Sequence, residues 1–164
     1  MDWKAISSEA CFKVSDDTGI GFTTVMRRVS VGMAAVAQGA GRSITVLEAV
    51  DGVVRPALRG VSRAGADYVM GTKAIVMGVI WGAGRKKGAA LKILTHTVRA
   101  VIRQTAVRRG DVGAAVTGLV RGAIASSRRM GVATDQAAIV VTSAAIDEVY
   151  RLGSTKPESI RLAQ

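Results

Sequence analysis

Proline occupies only positions 56 and 157 of 164, and no sustained apolar-polar alternation leads into a hairpin turn. A chain of this kind has little access to sheet structure. Its apolar residues recur instead at spacings of three and four, the helical period. The fold class that follows is all-α: several amphipathic helices packed closely through glycine and alanine, expected as helical hairpins in a homo-oligomeric assembly.

A short amphipathic segment from about Asp2 to Val14 leads into the acidic loop Ser15 to Gly21. A helix follows over Thr23 to Gln38, with Val25, Val29, Met33 and Val36 on one face and Gly39-Ala40-Gly41 ending it. Ser43 then reads as an N-cap with Glu48 in the second turn of a helix ending at Asp51 or Gly52. Pro56 suits the first turn of a fresh, long helix running through Leu58, Val61, Tyr68, Thr72, Ile75 and Val79 to Gly82-Ala83-Gly84. Another stripe, Leu91, Leu94, Val98, Val101, Ile102 and Thr105, closes on Arg108-Arg109-Gly110. Asp111 caps the next helix, which ends at Arg128 to Gly131. Thr134 or Asp135 caps the last, which ends at Arg151-Leu152-Gly153. Three parts result: residues 1–21 as a short helix and acidic loop, 22–153 as an Ala/Gly-rich helical domain, and 154–164 as a flexible tail. The last two helices resemble each other when shifted by 22 residues, as Ala123-Ile124 on Ala145-Ile146 illustrates, and Leu58 to Gly71 echoes the pattern.

The longest apolar run, Ala74 to Gly84, has eleven residues, where a spanning helix needs about 20. A re-entrant or monotopic segment fits that length better than a simple transmembrane helix. The single Cys11 and single His96 cannot build a disulfide or an ordinary Cys/His metal site within one chain, and the acidic N-terminal stretch lacks the pattern of a secretory signal. A reducing, cytoplasmic setting is expected, peripheral on an internal membrane or organelle surface, with neither cofactor nor metal.

Charge is the next constraint. The chain carries +11, and from Tyr68 to Thr134 twelve Lys or Arg face the single acid Asp111. Such a balance attracts phosphate-bearing partners. Lys92, His96, Arg99 and Arg103 share one helix face opposite Leu91, Leu94, Val98 and Val101, and Arg55, Arg59 and Arg63 form a second file. With Arg85, Lys86, Lys87, Arg108 and Arg109 these are the candidate polyanion-binding residues. A solvated face of an ordinary bundle is the plainer alternative.

Two ridges of small residues, Ala74, Gly78 and Gly82, and Ala114, Gly118, Gly122 and Ser126, recur every four positions and let helix backbones approach closely. They are candidate self-association sites, weighed equally against a hairpin inside one chain. Nothing here supports catalysis. His96 has no acid nearby in sequence, Cys11 lies in a segment of low charge, and Asp147 and Glu148 point to different sides of their helix. The glycine pairs at 19–21, 39–41 and 82–84 lack the strand-loop-helix setting of a phosphate loop.

The general texture resembles Ala/Gly-rich amphipathic surface-coating proteins such as phasins, and no motif carries a residue's role across. The expected function is therefore a non-enzymatic, self-assembling structural protein on an anionic membrane or organelle surface. The alternatives are a sequence-independent nucleic-acid-coating protein and a small helical subunit of a larger complex. No small-molecule substrate is implied.

Overall fold

A computed structural model describes residues 22–39, 45–63, 67–83 and 89–154, and every regular element among them is an α-helix. In chain order these are α1 Phe22–Gly39, α2 Val46–Arg63, α3 Tyr68–Ala83, α4 Ala90–Val107, α5 Val112–Met130 and α6 Thr134–Ser154. The expected segment 1–21, the cationic turn 85–87 and the tail beyond Ser154 lie outside the described residues.

The helices form two rows. In the first, α3 lies between α1 and α5; in the second, α4 lies between α2 and α6. Gly78 rests on Met26 and Val29, and Gly82, one turn on, rests on Ser30 and Met33, so α1 and α3 run the same way. Gly118 rests on Val69 and Thr72, and Gly122 on Lys73 and Val76, so α5 runs that way too on the other side of α3. Short connections return the chain between rows, giving three antiparallel hairpins, α1–α2, α3–α4 and α5–α6.

These hairpins repeat at a fixed interval. Helices α2, α4 and α6 begin at Val46, Ala90 and Thr134, 44 residues apart, as do α3 and α5 at Tyr68 and Val112. Asp67 accepts the Val69 amide at 2.8 Å at the start of α3, and Asp111 accepts the Ala114 amide at 2.9 Å at the start of α5. Buried positions keep the same register: Ala49, Ile93 and Ala137, then Val53, Thr97 and Val141, then Ala57, Val101 and Ala145. Stacks of helix pairs with units of about 40–47 residues are one way such short hairpins bury a common core. The 22-residue resemblance relates the two helices of one hairpin; the structural unit is twice as long.

Placement in the stack explains α3. Its apolar residues are not confined to one face, and Ala74, Ile75, Val76 and Val79 are fully buried between α1 and α5. An all-round apolar helix is what a central position selects. The run Ala74 to Gly84 that suggested a monotopic segment thus falls largely on a helix enclosed by its own chain, and among the described residues no helix is long and apolar enough to cross a membrane.

Several helix boundaries differ from expectation. Pro56 does not begin a helix but lies inside α2, which ends at Arg63, and the long helix expected from Pro56 to Gly84 is divided there, with α3 starting afresh at Tyr68. An interior proline costs about 3 kcal/mol. Complete burial of Val53, Val54, Ala57, Leu58 and Val61 on one continuous face offsets it. The cap of α2 is Thr45: its Oγ1 accepts the Glu48 amide at 3.3 Å while Glu48 Oε2 accepts the Thr45 amide at 2.8 Å, a reciprocal capping box. At α6, Thr134 is already helical, its hydroxyl 3.3 Å from that of Ser127, and Asp135 bonds only its neighbour Gln136.

Helix ends elsewhere follow backbone rules. Gly131 closes α5 in the left-handed region at φ 70, with the Val132 amide reaching the Ser127 carbonyl at 3.1 Å. Arg109 holds the equivalent place after α4 at φ 54, where a glycine would be unstrained. A Cβ on the neighbouring Gly110 would sit 2.7 Å from the Tyr68 hydroxyl, so a side chain there would have to displace the tyrosine ring.

Candidate polyanion-binding face

The outer side of the second row collects the cations. Arg55, Arg59 and Arg63 are exposed along α2, and Lys92 and Arg103 are exposed along α4. Because α2 and α4 are neighbours 44 residues out of step, Arg55 and Arg99 occupy equivalent positions, as do Arg59 and Arg103. Two arginine files therefore run side by side. On α6 the same positions carry Ser143 and Asp147, so the basic face ends where α6 begins.

Sequence spacing placed Lys92, His96, Arg99 and Arg103 on a single solvent-facing ridge. The structure keeps them on one side of α4, whose opposite side buries Leu94, Val98 and Val101 completely, but it gives two of them acidic partners. His96 Nε2 lies 3.0 Å from Asp51 Oδ1 of α2, and Arg103 Nε lies 3.1 Å from Glu148 Oε1 of α6. Neither acid is near its partner in sequence. Glu148 is itself buried, its other oxygen 3.6 Å from Arg151 Nη1, so it works as a clamp between α4 and α6 rather than as a solvated charge. Arg99 is half-buried, and its Nε is sealed from water with no hydrogen-bond partner; the same holds for Arg108 Nε. The freely hydrated cations of this face are thus Arg55, Arg59, Arg63 and Lys92, and Arg109 is exposed in the turn that follows α4. Half of the Arg103 side chain also remains in water, at 49% exposure.

The small-residue ridges lie elsewhere. A Cβ on Gly78 would come within 2.6 Å of the Met26 carbonyl oxygen, and one on Gly82 within 2.5 Å of the Ser30 carbonyl oxygen. At Gly118 it would overlap the Val69 carbonyl and the Thr72 hydroxyl, and at Gly122 it would lie 3.0 Å from the Lys73 carbonyl oxygen. These faces are filled by α1 and α3 of the same chain, so in this fold they are not open to a second copy. Ala74 and Ser126 are buried with them, while Ala114 is half-buried at the start of α5. Gly118 and Gly122 stand 44 residues after Ala74 and Gly78, so the two ridges are one ridge in successive hairpins.

One pairing had no sequence signal. The Arg129 guanidinium stacks 4.5 Å from the ring centre of the exposed Trp81, tying the C-terminal ends of α3 and α5 together across 48 residues of sequence. Among the described residues no group of three or more His, Cys, Asp or Glu comes close enough to hold a metal ion. Compared with protein-family models, curated proteins and solved structures, the chain has no significant match.

Proposed function

We propose that this chain is a non-enzymatic helical scaffold that lays the basic face of α2 and α4 on an anionic surface, in the first place a membrane or organelle surface rich in acidic lipid. The observation that carries this reading is the row of exposed cations Arg55, Arg59 and Arg63 on α2 beside Lys92 and the half-exposed Arg103 on the adjacent α4. A protein needing charge only for solubility would intersperse both signs. Contact is electrostatic and made by the folded protein, because the apolar side of α4 is committed to the core and cannot enter a bilayer without unfolding the stack.

That same commitment supports a second reading. With Val107 the one large apolar side chain exposed along α4, phosphate is the main group recognised, and a polynucleotide backbone offers it as well as a lipid headgroup does. Flotation with vesicles of neutral lipid, or of neutral lipid with acidic lipid added, beside gel shifts on duplex DNA of arbitrary sequence, separates the two. Enrichment on acidic vesicles alone at low salt supports the membrane reading. Salt-steep DNA binding without flotation replaces it with the nucleic-acid reading, and failure of both removes the proposal.

A further inference from the structure

Among the described residues the third hairpin is the last of the stack. Along α2 and α4, one side is fully buried: Val54 and Leu58 in the first helix, Val98 and Ile102 at the equivalent places in the second. On α6 those places hold Thr142 and Ile146, and both are open, Ile146 at 63% exposure. The next turn repeats the contrast, with Val61 and Thr105 buried and Val149 at 45%. In the first row, Ile80 of α3 is 4% exposed, whereas its equivalent on α5, Ile124, is 41% exposed. The side that each earlier hairpin turns to its successor has no successor here among the described residues. A polar outer surface is what caps a repeat stack. The last described hairpin presents isoleucine and valine instead.

We infer that this end face, formed by α6 and the adjoining edge of α5, is where a second copy of the chain docks, end to end about a two-fold axis. Charge selects this end. The third hairpin, residues 111–154, has four basic and four acidic residues and is neutral, whereas residues 67–110 carry nine bases against one acid. Two neutral ends meet without repulsion, while any pairing through the central hairpin would press cations together. Apolar exposure selects like against like. Ile124, Ile139, Ile146, Val149 and Tyr150 are all exposed on the third hairpin, whereas among the described residues the first hairpin exposes only Val31, Val46 and Leu47 among large apolar side chains. An isologous contact places each apolar face on its own kind and closes at two copies. Five exposed large apolar side chains on one hairpin end is the density that marks an interface rather than a scatter of surface residues.

This inference does not rest on the anionic-surface reading, since no cation of α2 or α4 belongs to the end face. Sedimentation equilibrium of the full chain, without lipid or nucleic acid, tests it. The expected mass is twice the 17.0 kDa chain. The double variant Ile146→Glu with Val149→Glu should sediment as a single chain, with helical circular dichroism and polyanion binding unchanged, because both side chains already face water in the separate chain. Ile146→Leu should keep the dimer. A wild-type chain that sediments at its own mass overturns the inference. If deletion of residues 155–164 then produces a dimer, the chain's own tail covers the face and the second copy is displaced from it. A dimer that survives both glutamates places its contact elsewhere and overturns the inference equally, and an open-ended series of masses overturns the two-fold.

Discussion

Gly118→Ala weighs the seam between α3 and α5 with a single methyl. The added Cβ would overlap the Val69 carbonyl and the Thr72 hydroxyl. The carbonyl belongs to a helix backbone and cannot turn aside. The hydroxyl is held 2.6 Å from the Tyr68 carbonyl and 3.1 Å from the Ala115 carbonyl, so it has nowhere better to go. Helix α5 must therefore move off α3. Overpacking of this kind costs about 1–3 kcal/mol, against a gain of about 1 kcal/mol from replacing glycine by alanine inside a helix. The net is a loss of up to about 2 kcal/mol, or a fall in Tm of several degrees at roughly 2–4 °C per kcal/mol for a chain of this size. Gly113→Ala supplies the control in the same helix, because its Cβ would meet only Asp111 Oδ1 at 3.4 Å. It should be neutral or stabilising by up to about 1 kcal/mol. Urea unfolding followed by far-ultraviolet circular dichroism gives both values. Gly118→Ala as stable as the Gly113→Ala control, which carries the same gain without the clash, would mean that the seam is loose and that the glycines are not there for close approach. The double change to Leu at Gly118 and Gly122 sharpens the point. A seam between subunits would lose mass and keep helicity, whereas a seam inside the chain should lose stability and cooperative unfolding first.

Three further outcomes follow from the same geometry. Arg109→Gly relieves a left-handed backbone, and thermal unfolding should show about 1 kcal/mol of added stability. Glu148→Gln removes the buried clamp between Arg103 and Arg151; a double-mutant cycle with Arg103→Gln should give a coupling of about 0.5–1 kcal/mol, small because half of the Arg103 side chain stays in water, and zero coupling would show that the pair does not hold α4 to α6. Arg55→Gln with Arg59→Gln should weaken binding to acidic vesicles or to DNA without changing the Tm, and for DNA each should lower the slope of log affinity against log salt by about 0.9. An unaltered slope would take α2 out of the contact.

Much of the architecture is written in local sequence. The period of Leu94, Val98 and Val101 against Lys92 and Arg103 is enough to make α4 a helix and to say which side is dry, because that pattern depends only on 3.6 residues per turn. The cap at Asp111, the glycine stop at 131 and the single-sign charge of the central hairpin are likewise local facts, whereas the cap at Asp67 fell inside what reads as one long helix. What partner each face meets is not local. The glycines of α3 and α5 announce a close approach, yet the same spacing serves a seam within a chain or between chains, and only the stacking of α1, α3 and α5 assigns it to the former. Pro56 reads as a helix start because its missing amide is harmless there; tertiary burial on both sides of it carried α2 straight through. His96 and Arg103 looked unpartnered because their acids lie 45 residues away, a separation that becomes 3.0 Å and 3.1 Å only when the second row packs. Sequence determined the helices and their charged and apolar sides, since those follow from backbone period and side-chain solvation. Tertiary structure decided which sides face each other, since helix-helix contact depends on the steric fit of whole surfaces brought together from distant segments.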